Sequence, residues 1–139
     1  EVRKTYWAIV SDRPPAEEGE LSNYLKKNEK QNKSYVYDNE VKGSKGATLS
    51  YRILARSERY YLLEIDLHTG RHHQIRAQLA AAGCPVRGDL KYGARRSNEG
   101  GGISLHSRRV TFIHPVKKLE ITAEAPLPDD KIWKLFKHV

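Results

Sequence analysis

The sequence predicts an α+β domain in which a mixed, mostly antiparallel sheet is flanked by helices. Three observations carry that expectation. Period-2 alternation recurs from the first residues to the last quarter of the chain, the clearest two alternating runs are joined by a short polar loop, and one central stretch has the 3.6-residue period of a helix. At 139 residues the chain is about the size of one ordinary domain, so residues 1–139 are read as a single one.

The opening "VRKTYWAIV" is rich in β-branched and aromatic residues and reads as a strand. Tyr6, Ala8 and Val10 share one parity and Trp7 and Ile9 the other, so both faces of this strand are expected to be at least half covered. "SDRPPAEEGE" ends it, because two prolines and a glycine cannot continue a ladder. "LSNYLKKNEKQNKSYVYD" is mostly polar and predicts a peripheral hairpin or two edge strands. In Ala47–Leu67, Leu49, Tyr51, Ile53 and Ala55 alternate on one face. Tyr61, Leu63, Ile65 and Leu67 do so after the polar "RSER", which makes an antiparallel hairpin. A helix is expected at about His73–Ala82, with Ile75, Leu79 and Ala82 as one apolar stripe and Gly83 as its stop. "GARRSNEGGG" predicts a mobile surface loop. "SLHSRRVTFIH" and "KKLEITAEAP" predict two more strands around a turn at His114–Pro115. "DDKIWKLFKHV" predicts a short closing helix with Ile132, Leu135 and Phe136 on one side.

Charge narrows the function classes. Lys and Arg number 25 against 17 Asp and Glu, a formal net charge of +8, and such a balance attracts polyanions, RNA or DNA above all. No apolar run approaches the roughly 18 residues of a membrane-spanning helix. The lone Cys84 has no partner for an internal disulfide, which fits a reducing, cytoplasmic setting. The chain begins with Glu1 and contains no Met, so it is expected to be a piece of a longer product.

The densest chemistry lies in "LHTGRHHQIRAQLAAAGCPVRGDLKYG". Gly70 permits a sharp strand-to-helix turn, and the first helical turn that follows offers unpaired N–H groups and a positive dipole end, which favour an anion. Arg71 adds a guanidinium there; His72, His73 and Gln74 add neutral hydrogen-bonding groups. Arg76 lies beside the apolar stripe, so it is expected to be partly buried and to need a carboxylate or phosphate. Asp66 and Asp89 are the candidates within the stretch, and neither is obviously placed, which leaves a partner from outside the chain open. Three plainer readings stay open as well. They are a metal site on His68, His72 and His73, a solvated charged face, and a phosphate-binding helix start with no chemistry.

The block from Thr69 to Gly93 closely resembles the signature of RluA-type pseudouridine synthases, "TGRTHQIRVHLAxxGxPIxGDxxYG" in its usual form. The order of other segments is similar too: "KTYxAxV" at Lys4–Val10, "TxYxxL" at Thr48–Leu54 and "LHxxxxxFxHP" at Leu105–Pro115. The resemblance implies isomerisation of uridine to pseudouridine in structured RNA, ribosomal or transfer, with no metal or organic cofactor. The base leaves C1′, turns, and rejoins through C5, whose proton then departs. The family's essential aspartate sits in an HRLD motif ahead of the "KxY" strand. This chain has no HRLD, so it is expected to be the later part of a catalytic domain, inactive alone. A non-catalytic RNA-binding module is the alternative.

The resemblance assigns catalytic parts to Tyr6, which stacks on the target base and joins in removal of the C5 proton, and to Arg76, which pairs with the aspartate. Lys4, Arg71, His73 and Gln74 are implied to bind substrate. Without the aspartate, Arg76 is expected to swing to solvent or take up an anion. His72 stands where Thr is commonest and Gln78 where His is common, so His72 replaces a potential capping hydroxyl. Gly88, Asp89, Tyr92 and Gly93 read as turn builders.

Overall fold

A computed structural model describes residues 2–139 as one seven-stranded sheet carrying a short α-helix on one face and two single 3₁₀ turns. The strands are β1 (Val2–Val10), β2 (Glu18–Asn28), β3 (Lys33–Tyr37), β4 (Lys45–Arg56), β5 (Tyr61–Leu67), β6 (Leu105–Ile113) and β7 (Glu120–Glu124). They are ordered β3-β2-β4-β5-β1-β6-β7, and every pairing is antiparallel. Helix α1 spans Gln74–Ala81; the 3₁₀ turns are Leu90–Tyr92 and Trp133–Phe136. The predicted class, with a mostly antiparallel sheet, is what the chain adopts.

Strand β1 sits between β5 and β6, and its two apolar parities face two different cores. Ala8 and Val10 join Leu49, Tyr51, Leu63, Ile65, Ile75 and Leu79 under α1. Trp7 and Ile9 face the other way, against Leu62, Trp133 and Phe136. Each large side chain withdrawn from water contributes about 1.5–3 kcal/mol, so both faces of β1 hold the domain together.

Helix α1 ends as the Gly83 signal predicts. Gly83 has φ +91, its N–H reaches the Ala80 carbonyl, and the Cys84 N–H reaches that of Leu79, which together form a Schellman closure. Cys84 then drops fully buried into the same core as Leu79.

Two expectations change. The closing segment is one 3₁₀ turn, with Trp133 and Phe136 buried and Leu135 46% exposed. Three residues per turn bring i and i+3 onto one face, which selects Trp133 with Phe136 rather than Leu135. Asp130 sets up that turn by accepting the Ile132 and Trp133 N–H groups at 2.8 and 3.3 Å. Ala55 also leaves the face of Ile53. A register shift between them inserts Leu54 as an extra residue, and Ala55 packs with the Trp7 core instead. The loop from Ala94 to Gly102 is held where the Asn98 amide donates to the Arg87 carbonyl and Ser104 Oγ, and where the Ala94 N–H reaches the Asp89 carbonyl at 3.0 Å. No helix among the described residues is long and apolar enough to cross a membrane.

Candidate functional site

The turn that leads from β5 into α1 is built by Gln74. Its Oε1 accepts from Thr69 Oγ1 at 2.8 Å and from the Arg71 N–H at 3.0 Å, while its Nε2 donates to the Thr48 carbonyl at 3.1 Å. Gln74 is 3% exposed, and these bonds occupy its amide. In this fold Gln74 positions the turn. A buried amide is stable only when its polar atoms find partners, and here its oxygen is bonded within the turn and its nitrogen to β4.

His73 follows in the left-handed region, φ 53, at the mouth of the helix. Its ring stacks on His72 at 3.8 Å between centroids, and its two nitrogens have different partners. Nε2 lies 3.0 Å from an Arg76 Nη, and Nδ1 lies 2.8 Å from the Tyr92 hydroxyl. A guanidinium only donates, so Nε2 must accept and the proton must sit on Nδ1, directed at Tyr92. Burial first, and the Arg76 charge next, push the His73 pKa down to about 4. The ring is neutral near pH 7. His72 is also lowered, by burial and then by Lys27.

Arg76 is where the structure departs most from expectation. Its Nε and one Nη donate to the two carboxylate oxygens of Asp89, each at 2.8 Å, a bidentate pair. The Asp89 side chain is 1% exposed and that of Arg76 20%. The guanidinium also lies 4.9 Å from the centre of the Tyr92 ring, and the hydrogen bond to Asp89 raises its pKa further. The idea that Arg76 turns to solvent or waits for an anion is overturned. The carboxylate its burial demands is supplied inside the chain, by the turn Leu90–Tyr92 and the residue before it. Tyr92 is anchored in turn, because its hydroxyl accepts the Ser34 N–H at 2.9 Å. The residues read as turn builders thus do double service: Gly88 and Gly93 take φ +87 and +105, while Asp89 and Tyr92 hold Arg76 and His73. Asp66, the other candidate, is engaged by Thr5 and Arg3.

Tyr6 lies half-buried on β1, on the sheet face that α1 covers. The ladder between β1 and β6 is irregular at this point. Thr5 faces Arg109 and Tyr6 faces Ser107, so Arg108 is an extra residue opposite them. Such bulges twist a strand locally and re-aim its side chains, and no feature of "KTYWA" alone announces one. Lys4, exposed, shares the parity of Tyr6. Arg71 is exposed, with its Nε on the Gly46 carbonyl at 2.8 Å. Arg71, His73, Gln74 and Arg76 therefore stand together at the start of α1, and Lys4 and Tyr6 stand on β1. Among the described residues, no hydrogen bond or ion pair joins Tyr6 to Arg76.

His68 belongs elsewhere, with its Nε2 2.7 Å from Ser50 Oγ. Among the described residues, no group of three or more His, Cys, Asp and Glu side chains is arranged to hold a metal ion. The partners that sequence reasoning missed are Ser34 and Tyr92, and Asp89 was one of two candidates it left undecided. The "GD…YG" spacing was the available signal for Tyr92, and nothing local marked Ser34.

Comparison with known proteins adds a separate finding. A family model described as RNA pseudouridylate synthase matches residues 1–81. The Bacillus subtilis protein YlyB, named an uncharacterized RNA pseudouridine synthase, is 32% identical over 93% of this chain and 42% of its own length. The ribosomal large subunit pseudouridine synthase D of Neisseria meningitidis is 34% identical over 63% of this chain and 26% of its own length. This chain thus spans less than half of either relative. The solved structure of human RNA pseudouridylate synthase domain containing 4 superposes with a TM-score of 0.78 at 21% identity, over 98% of this chain and 62% of that one, a likeness of fold. The matched residues 1–81 contain Tyr6 on its irregular strand and the whole run from Arg71 to Arg76, and on that match the chain belongs to the RNA pseudouridylate synthase family.

Proposed function

We propose that the chain is part of an RluA-type enzyme that converts uridine to pseudouridine in structured RNA in the cytoplasm, without metal or organic cofactor. The observation that supports this reading above all is the family match itself, because it spans Tyr6, Arg71, His73 and Arg76. Ribosomal RNA is the first substrate to test, since the Neisseria relative is named for the large ribosomal subunit; transfer RNA is the second.

A uridine must leave its stack to react, at a cost of a few kcal/mol, and the +8 charge offsets this through sequence-independent contacts to phosphates. Lys4 and Arg71, both exposed, make such contacts. Tyr6 lies against the base and is placed to assist loss of the C5 proton once C1′ has rejoined at C5. Arg76 uses three of its five N–H groups on Asp89 and His73, and the remaining two face a carboxylate supplied by an HRLD segment upstream. His73 serves that arrangement as a neutral acceptor that fixes the guanidinium plane.

The test is tritium release from RNA labelled at uridine C5, by this chain and by a longer form carrying an HRLD segment. Release from the longer form is expected. Silence from both, with RNA binding intact, would favour the non-catalytic RNA-binding module.

A further inference from the structure

A second basic site lies at the far end of β1. A cavity of about 540 Å³ opens between the segment after β1, the loop between β4 and β5, and the loops 85–88 and 94–98. Arg59, Arg87, Arg95 and Arg96 line it, with Asp12 as the one carboxylate. Asp12 reaches only Arg95, at 4.0 Å and largely in solvent, and among the described residues no ion pair involves Arg59, Arg87 or Arg96. Four guanidinium groups around a shared hollow repel one another unless an anion enters.

One of the four is held in place. Arg87 donates an Nη to Ser104 Oγ at 3.0 Å and lies 5.6 Å from the centre of the Tyr60 ring, so its remaining donors are oriented before any ligand arrives. The wall beside it is equally constrained. Gly88 has φ +87, and a Cβ there would stand 2.5 Å from the Asn98 side chain. Asn98 thereby seats the loop that carries Arg95 and Arg96.

The position of the cavity matters as much as its charge. The Arg87 N–H is bonded to the Ile9 carbonyl at 2.8 Å, three residues along β1 from Tyr6, or roughly 10 Å at strand spacing. Gly88 lines the cavity and its neighbour Asp89 holds Arg76. One stretch of backbone therefore joins the basic hollow to the proposed reaction site. We propose that this arginine-lined cavity binds a backbone phosphate of the RNA strand, flanking the nucleotide that lies on Tyr6. The proposal rests on the uridine-isomerisation reading for the identity of the strand, while the anion-binding chemistry is the cavity's own. Planar guanidinium groups suit phosphate oxygens in bidentate contacts, and a phosphodiester is the anion that an RNA brings.

The experiment is an NMR titration of the whole chain, following the arginine Nε–H signals, with single-stranded oligouridylate in one arm and inorganic phosphate in the other. It is paired with binding measurements across salt for Arg59→Gln/Arg96→Gln and for a control pair of exposed lysines remote from the cavity, Lys30→Gln/Lys117→Gln. The RNA is expected to move the signals of Arg59, Arg87, Arg95 and Arg96. The arginine double variant should flatten the plot of log affinity against log salt by about 0.7 for each phosphate no longer neutralised, and by more than the control. RNA binding with those signals unmoved, or a slope no flatter than the control's, overturns the proposal. A response to inorganic phosphate but not to RNA also overturns it and leaves a site for free phosphate. If the arginine signals respond to RNA while the tritium assay stays silent, the cavity stands and the isomerisation reading falls.

Discussion

Substitution at the Arg76–Asp89 pair should be costly, and unequally so from its two ends. The Asp89 carboxylate is 1% exposed, and both its oxygens are engaged by Arg76 at 2.8 Å. Removing one partner of a buried pair typically costs about 3–5 kcal/mol, because the other is left charged and dry. Arg76→Met creates that situation in full, so a loss at the upper part of this range is expected. Asp89→Asn is milder. Arg76 keeps 20% exposure and its bond to His73, and the amide still offers one oxygen, so about 2–3 kcal/mol is expected. The double variant should recover about 1–3 kcal/mol relative to the sum, as residues in one network do. Urea unfolding followed by tryptophan fluorescence suits the purpose, since Trp7 and Trp133 are both buried. The reasoning is refuted if Asp89→Asn costs more than Arg76→Met, or if the two losses simply add.

Two further outcomes follow from the same turn. The His73 ring stays neutral in the folded chain down to about pH 4, whereas in the unfolded chain it binds a proton below its ordinary value near 6.5. Between those limits the unfolded state holds more protons, so stability should fall as the pH falls from 6.5 toward 4. His73→Asn keeps a residue that tolerates the left-handed backbone and should flatten that dependence; urea midpoints near pH 7 and near pH 5 that shift equally in both proteins would contradict the assignment. Gln74→Ala leaves the Arg71 N–H without its partner, while the Thr48 carbonyl keeps the His68 and Thr69 N–H groups, so thermal or urea unfolding should show a loss of about 1–3 kcal/mol. A loss under about 0.5 kcal/mol, the level of a surface change, would refute the part assigned to Gln74 in holding the turn.

How far the chain could be read without its structure varies with the range of the interactions. Apolar residues on both parities of β1 announced a strand covered on both sides, and Trp7 and Ala8 do face different cores. The hairpin from Ala47 to Leu67 and the Gly83 stop were equally plain, because alternation and a positive φ are properties of a few consecutive residues. Arg71 and Arg76 were singled out by a long compound motif and Tyr6 by the short one at Lys4–Val10, and the family match covers all three. The partner of Arg76 was not readable. Asp66 and Asp89 stand ten and thirteen positions away, and the choice between them depends on how the chain returns after Gly83, where Val86 bridges to Val10 and sets the turn beneath the helix. The bulges beside Tyr6 and Ala55 were hidden for the same reason, since an extra residue exists only relative to a partner strand. The arginine cavity draws its walls from four separate segments. Local periodicity writes the elements into the sequence, whereas pairing a buried charge is decided by packing between distant segments, and only the folded chain brings those together.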